Sequence, residues 1–477
     1  MKHKNKDKST KQIQKSFHYS HPDELESHEK VIDLKSYLNE LTSNNDVYYF
    51  NVQVLFNGRF IDKQGVELAK NQIIEESPFF DTPDVLQTPA ISESGKVEIL
   101  LGIGFDESVE SIESLRIEEA EVCDESILCN CFLISSKYAT ISKLHLIDCC
   151  LNAKSIEIIA KQLRSENNTI NDLSLDMNVV PEQNYHLLID GTTLEHLSLR
   201  NCKIECKGAR LIAEALEFKK PELKQRLLSL VLNGNAIQDS GLLFITMALR
   251  TNFKLHYLSL ANNLITDSGI EMIAGVMKRF PISPEEDRER RFMFIKYLES
   301  AAIKHGKECI DSICNAVERF SVFKQRESSS SSNETSIGTV SDDARTHQDT
   351  ISDMANPFIS VTNIMNGDLH PLLTTVYKDG DIKYCVGNFA LAYLNLSYNY
   401  FGKIGLHALQ EAATYQSTVG PQVNGFGLMG IKVEGSKRKE TLNEEIKELN
   451  NILEKRSLPK LYDRRHLINL SQNTHDK

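Results

Sequence analysis

The chain has 477 residues, 41% of them hydrophobic, with a formal net charge of −12 and ten cysteines. The apolar share excludes a chain unfolded throughout. The acidic balance argues against nucleic acid or an anionic membrane surface as the main partner, and the cysteines include no CxxC pair of the kind that marks a zinc site.

Residues 1–45 are polar and rich in Lys, His and Ser, and read as a disordered tail. Met1–Ser16 is dominated by Lys and uncharged polar residues, and no apolar stretch of signal-peptide type follows. A cytoplasmic chain with reduced thiols is therefore expected. The run Val97–Phe105 is too short to span a bilayer. Within 46–110, Val47–Leu55 alternates as a strand does.

From residue 111 a spaced pattern recurs. A degraded first copy is Ile112, Leu115, Ile117, Ala120 and Val122. Then come Ile141, Leu144, Leu146, Cys149 and Leu151; Ile170, Leu173, Leu175, Asn178 and Val180; and Leu194, Leu197, Leu199, Cys202 and Ile204. The clearest copies are Leu227, Leu230, Leu232, Asn235 and Ile237, followed by Leu255, Leu258, Leu260, Asn263 and Ile265. Leu230 and Leu258 stand 28 residues apart, inside the range of leucine-rich repeats. In such a unit the leucines line a short strand, the Asn amide satisfies backbone groups as the chain turns inward, and a helix returns. Gly269 is expected to permit the turn into that helix, where Ile270, Ile273, Ala274 and Met277 face the strands. Cys149 and Cys202 occupy the Asn position, where Cys is the usual alternative, so the thiols read as structural and no metal is expected. His305, Cys309 and Cys314 share a helical stretch but do not amount to a ligand set. Six repeats are placed over 111–279, and 46–110 is read as the N-terminal cap that the first open end requires.

The array breaks over 280–388. Ser283-Pro284-Glu285-Glu286 is a helix start, with Ser as N-cap and Pro at the first helical position. A helix is predicted over about 284–325, carrying Phe292, Ile295, Leu298 and Ala302 and then Ile310, Ile313, Val317 and Phe320. It either packs on the flank of the solenoid or projects to dock a partner. A Ser-rich linker over about 326–355 follows. The pattern resumes at Leu391, Leu394, Leu396, Asn399 and Phe401, with a weaker eighth copy at Phe426, Met429 and Ile431, so that repeats 7–8 occupy 389–435. If repeat seven stacks on repeat six, the solenoid is continuous in space though split in sequence. Leu442, Ile446, Leu449 and Leu453 mark a C-terminal helix, and 436–477 is read as that helix and a tail.

The expected fold is an α/β solenoid: a ribonuclease-inhibitor-like leucine-rich repeat horseshoe with a parallel concave sheet, outer helices and a helical or disordered insertion. Its outward strand positions include Arg116, Glu118, Lys143, His145, Asp148, Asp172, Asp176, Glu195, His196, Arg200, Tyr257, Tyr393 and Tyr398. Of these, Lys143, His145, Asp176, His196, Arg200, Tyr257, Tyr393 and Tyr398 are the candidate protein-binding set, Tyr and Arg being favoured interface anchors. The repeat frame itself is carried by Leu144, Cys149, Leu197, Cys202, Leu230, Asn235, Leu258, Asn263, Leu394 and Asn399. No GxxxxGK[ST], GxSxG or HExxH motif occurs. No enzyme activity, cofactor or small-molecule substrate is expected, and the partners are expected to be proteins.

The order of Leu258-Ser-Leu260-Ala-Asn-Asn263, the segment Glu289-Arg-Arg-Phe292, a Ser-rich insertion, Tyr377-Lys-Asp-Gly380 and Leu394-Asn-Leu396-Ser-Tyr-Asn399 resembles the leucine-rich repeat-containing protein 71 family. The similarity covers 111–279 and 356–435. Lys432-Val-Glu434 stands where that family's final repeat carries its Asn motif, and the insertion here is shorter and less Lys-rich. The resemblance implies a structural component of the motile cilium or flagellum axoneme and brings no catalytic residues. The other reading is a regulator of a small GTPase or similar nucleotide-cycling partner, acting through the concave face.

Overall fold

A computed structural model describes residues 29–42, 48–55, 97–106, 111–120, 124–218, 226–305, 371–419, 427–437 and 442–457. Ten strands form one sheet: β1 (Tyr48–Val54), β2 (Val97–Asp106), β3 (Ser111–Glu118), β4 (Lys143–Ile147), β5 (Asp172–Ser174), β6 (His196–Ser198), β7 (Ser229–Val231), β8 (Tyr257–Ser259), β12 (Tyr393–Asn395) and β13 (Gly430–Lys432). They follow chain order, and every neighbouring pair is parallel except the antiparallel β2–β3. Between them run α2 (Glu125–Lys137), α3 (Ala153–Leu163), α4 (Cys206–Leu216), α5 (Asp239–Leu249), α6 (Asp267–Met277) and α9 (Lys403–Val419). In the third repeat a short 3-10 turn, Asn184–Leu188, takes the place of the helix. The architecture is an α/β solenoid of leucine-rich repeats, with Leu144, Leu173, Leu197, Leu230, Leu258 and Leu394 in register and buried.

The repeats are joined by three kinds of polar contact, each reaching from one unit to the next. In the core, Asn178 Oδ1 accepts from the Cys149 and Leu151 amides at 2.9 and 3.3 Å, while its Nδ2 donates to the Leu146 carbonyl at 2.8 Å. Asn235, Asn263 and Asn399 repeat this arrangement. Cys149 and Cys202 donate from Sγ to the Ile117 and Leu175 carbonyls of the preceding units, which is why a thiol substitutes there. Without these partners the turning backbone would bury unpaired N–H and C=O groups. On the helix side, Gln183 Oε1 accepts from the Glu205 and Gly208 amides. Asp239 accepts from Thr266, and Asp267 from Gly402 and Gly405. The role expected of Gly269 is corrected by this contact. It lies inside α6, and a Cβ there would come within 2.4 Å of Asp239 Oδ1. The residue is small because the carboxylate of the preceding repeat needs the space. The third contact lies on the sheet face and is described with the site.

The residue just before the Asn position is left-handed throughout: Glu119, Asp148, Met177, Asn201, Gly234, Asn262, Tyr398 and Gly435 all have φ between 51 and 68°. This frame places Ser436 in the Asn position of the last unit. Its inward residues are Leu428, Ile431 and Val433, which corrects the expected Met429, a half-buried residue, and the expected Phe426, which lies outside the described residues. The pairing Leu394↔Ile431 gives the eighth strand its register.

The insertion leaves and re-enters the solenoid at one place. β9 (Phe280–Pro281) pairs antiparallel with β11 (Ile382–Cys385), which pairs with β10 (Val376–Asp379) after a short helix α8 (Pro371–Thr375). Asn388 then donates to the Leu249 and Asn252 carbonyls at 2.8 and 2.9 Å, and its Oδ1 receives the Ala390 and Leu391 amides. With both ends pinned, β12 pairs directly on β8, Leu394 opposite Leu258. The helix α7 (Pro284–His305) is rooted at its start. Ser283 and Glu286 form a reciprocal cap, Arg250 grips Glu286 at 2.7 and 2.8 Å, and Lys383 reaches Asp287 at 2.6 Å. Phe292 and Ile295 are exposed. The predicted continuation to 325 and the Ser-rich linker lie outside the described residues.

The tail expected through residue 45 is corrected over α1 (Glu29–Thr42). Val31, Leu34 and Leu38, at helical spacing, are fully buried, and the helix packs on the cap strands β1 and β3. α10 (Asn443–Ser457) closes the other end, burying Leu449 and Leu453 beside α9.

Candidate concave-face interface

Strand alternation points every second side chain away from the helices. In register across the face lie Lys143, Asp172, His196, Ser229, Tyr257 and Tyr393, one from each of six adjacent strands. A second row runs Arg116, His145, Ser174, Ser198, Val231, Ser259 and Asn395. The first four repeats therefore present charge, and the later ones present hydroxyl, amide and aromatic groups.

Not all of the expected residues are available to a partner. Asp176 accepts from Ser198 Oγ at 2.6 Å and from the Arg200 amide at 2.9 Å, with Arg200 Nε 3.9 Å from its other oxygen. Asn233 does the same for Ser259 Oγ and the Ala261 amide, at 2.6 and 3.2 Å. Asp176 and Arg200 thus belong to the third inter-repeat contact. Lys143 is ion-paired with Glu113, and Arg116 with Glu118. Tyr398 is not on a strand. It sits in the left-handed turn at the strand ends, 44% exposed, with its ring against Gly435, where a Cβ would meet Cε1 at 2.3 Å.

Lys143, His145, His196, Tyr257 and Tyr393 are brought together on the sheet face. Burial, then the neighbouring charges of Arg116 and Lys143, push His145 down to about 3 from the usual imidazole value, so it is neutral at physiological pH. His196 Nδ1 is shielded from solvent and makes no hydrogen bond among the described residues. Tyr257 is buried beneath its neighbours, whereas Tyr393 is half-buried, its ring lying over Gly430, where a Cβ would approach Cδ1 to 2.8 Å. Asp172 sits between Lys143 and His196. Burial raises its carboxyl pKa, outweighing the pull of His196 and Lys143.

The residue that pattern reading undervalued is Asp172. The signal was available: Asp176 and Asn233 hold the same repeat position and each faces a Ser one unit on. They could therefore be assigned to the frame, which leaves Asp172 as the uncommitted acid. Burial pushes the Cys202 thiol up, and no His/Cys/Asp/Glu group able to hold a metal occurs among the described residues. No helix among them is long and apolar enough to cross a membrane.

Residues 192–213, 225–245 and 251–274 match the Leucine Rich repeat family. These spans fall on the fourth, fifth and sixth repeats as placed by the strand register. Among curated proteins, the chain is 24% identical over 209 residues to NACHT, LRR and PYD domains-containing protein 5 of Bos taurus. That alignment covers 44% of this chain and 15% of the bovine protein, so the match spans a small part of the larger molecule.

Proposed function

We propose that the protein is a non-catalytic interaction scaffold that binds other proteins along its concave sheet face. The observation that carries this reading is the row of in-register side chains from Asp172 to Tyr393, which combines a carboxylate, an imidazole and two phenol rings on one rigid surface. Leucine-rich repeats are extended surfaces by construction, and the match of residues 192–213, 225–245 and 251–274 to the Leucine Rich repeat family supports an interaction role. We place the scaffold in the cytoplasm, at the axoneme of a motile cilium or flagellum. That location is supported by the order of repeat, charged segment, insertion and late repeat described from the sequence.

Site-specific photo-crosslinking tests the binding face. A photoreactive residue at Tyr393 is expected to capture axonemal doublet or spoke proteins, and one at Arg210 on the outer helix α4 is not. Capture from Arg210 alone would move the interface to the convex side. Recovery of a GTPase alone, with faster GTP hydrolysis on mixing, would replace the scaffold reading with a regulatory one.

A further inference from the structure

The concave row contains one carboxylate that no hydrogen bond or ion pair holds among the described residues. Lys143 is committed to Glu113, Arg116 to Glu118, and Arg200 to Asp176. The carboxylate of Asp172 faces Lys143 and His196 from the flanking strands, with Glu113 and Asp176 as the nearby acids. Among the described residues it receives no hydrogen bond and forms no ion pair. Its neighbour His196 likewise has a buried ring nitrogen without a partner. A half-buried carboxylate without a directly bonded counter-charge is costly, and the open side of the sheet is the direction from which one can come.

The rest of the row sets what must accompany that charge. Ser229 follows His196, and then come Tyr257 and Tyr393. With strands about 4.8 Å apart, Tyr257 lies roughly 14 Å from Asp172 and Tyr393 roughly 19 Å from it. An extended segment covers the longer distance in about six residues at roughly 3.3 Å each.

We infer that the concave face recognises a protein segment that places an Arg or Lys on Asp172 and, about six residues away, an aliphatic or aromatic side chain on Tyr393. A guanidinium suits the site best, because it can engage the carboxylate with two parallel N–H donors. The neutral imidazole of His145 adds no repulsion. Tyr393 supplies a rigid apolar surface at the other end of the row. The inference rests on the concave-face reading given above and specifies the partner chemistry within it.

The test is to pan a phage-displayed library of random dodecapeptides against the full chain and measure affinities of the enriched peptides as synthetic ligands. The variants are Asp172→Asn, Asp172→Lys and Tyr393→Ala, each first shown by thermal melting to be folded. Enriched peptides are expected to share an Arg or Lys spaced from an apolar residue. Asp172→Asn is expected to weaken them roughly 10- to 100-fold, the range of a charged hydrogen bond. Asp172→Lys should redirect selection toward acidic peptides, and Tyr393→Ala should weaken the original ones. Free arginine and spermidine are included as competitors; binding that they match in affinity would overturn the requirement for a protein segment. Peptides that lack a basic residue, or that ignore Asp172→Asn while still losing affinity with Tyr393→Ala, overturn the cation inference and leave the concave face standing. Peptides indifferent to all three variants overturn both, and failure to enrich any peptide overturns the proposed recognition.

Discussion

Repeats five and six are neighbours in both sequence and space, whereas repeats six and seven are neighbours in space alone. Leu230 and Leu258 are 28 residues apart, and Leu258 and Leu394 are 136 apart. The two interfaces are nonetheless built alike. Asn263 Oδ1 receives the Ile237 amide at 3.1 Å, and Asn399 Oδ1 receives the Asn263 and Ile265 amides at 3.1 and 3.2 Å. Asp239 caps Thr266 as Asp267 caps Gly402 and Gly405. The comparison shows that the stacking chemistry resides in side chains one repeat apart in space and is indifferent to how the chain travels between them. Closing the longer connection costs only about 1.4 kcal/mol more by the logarithmic dependence on loop length. The antiparallel pinch of β9 and β11 then holds the returning strand in register.

Four measurements test whether the two interfaces are equivalent. The largest effect is expected from Leu258→Asp, which puts an unpaired charge where both interfaces meet; it should cost several kcal/mol and abolish the cooperative melt of the array. Retention of a cooperative transition near the wild-type midpoint would show that β8 is not the common support. Next, Asn399→Ala and Asn263→Ala each leave buried amides and carbonyls unpaired, and each is expected to cost about 3 kcal/mol in chemical denaturation. A much smaller loss at Asn399 would mean that the interrupted interface is looser than the continuous one.

A third effect depends on pH and belongs to the continuous half. The pKa of His145 is lowered in the fold, to about 3, so the unfolded chain binds the extra proton first as pH falls. Stability from the neutral ring is fully present above about pH 6.5 and declines as pH drops from there toward 3. His145→Gln should flatten part of that decline in thermal midpoints measured between pH 7 and pH 5. Equal slopes for the two proteins would remove His145 as a contributor. The smallest effect is expected from deleting 328–350. The pinch and the Asn388 contacts remain, so the melting temperature should hold within about a degree or two, and a drop of many degrees would show that the insertion supports the stack.

Much of this architecture was legible in the chain. Leu144, Leu197, Leu230, Leu258 and Leu394 announce the inward row by spacing alone, and Asn235, Asn263 and Asn399 announce the turn. The less legible parts have physical reasons. In the helix Glu29–Thr42 the buried stripe is only Val31, Leu34 and Leu38 in a polar sequence, and its partner strands lie far along the chain. The last repeat was misread because Ser436 replaces the Asn and Gly435 supplies the left-handed turn, so its frame is visible only through backbone geometry. On the concave face, alternation identifies outward positions but does not distinguish a side chain that ties two repeats, such as Asp176, from one that faces outward uncommitted, such as Asp172. That distinction needs the neighbouring strand.

The pinched base of the insertion also determines where mechanical tension would run. A pull between the two ends of the solenoid would load the backbone pairing of β12 on β8. If that junction were to part, the 133 residues between Ser259 and Tyr393 would still join the two halves covalently. The two halves would stay tethered and could re-pair once the force fell. Under repeated load, the junction would thus act as a reversible joint with a built-in covalent tether.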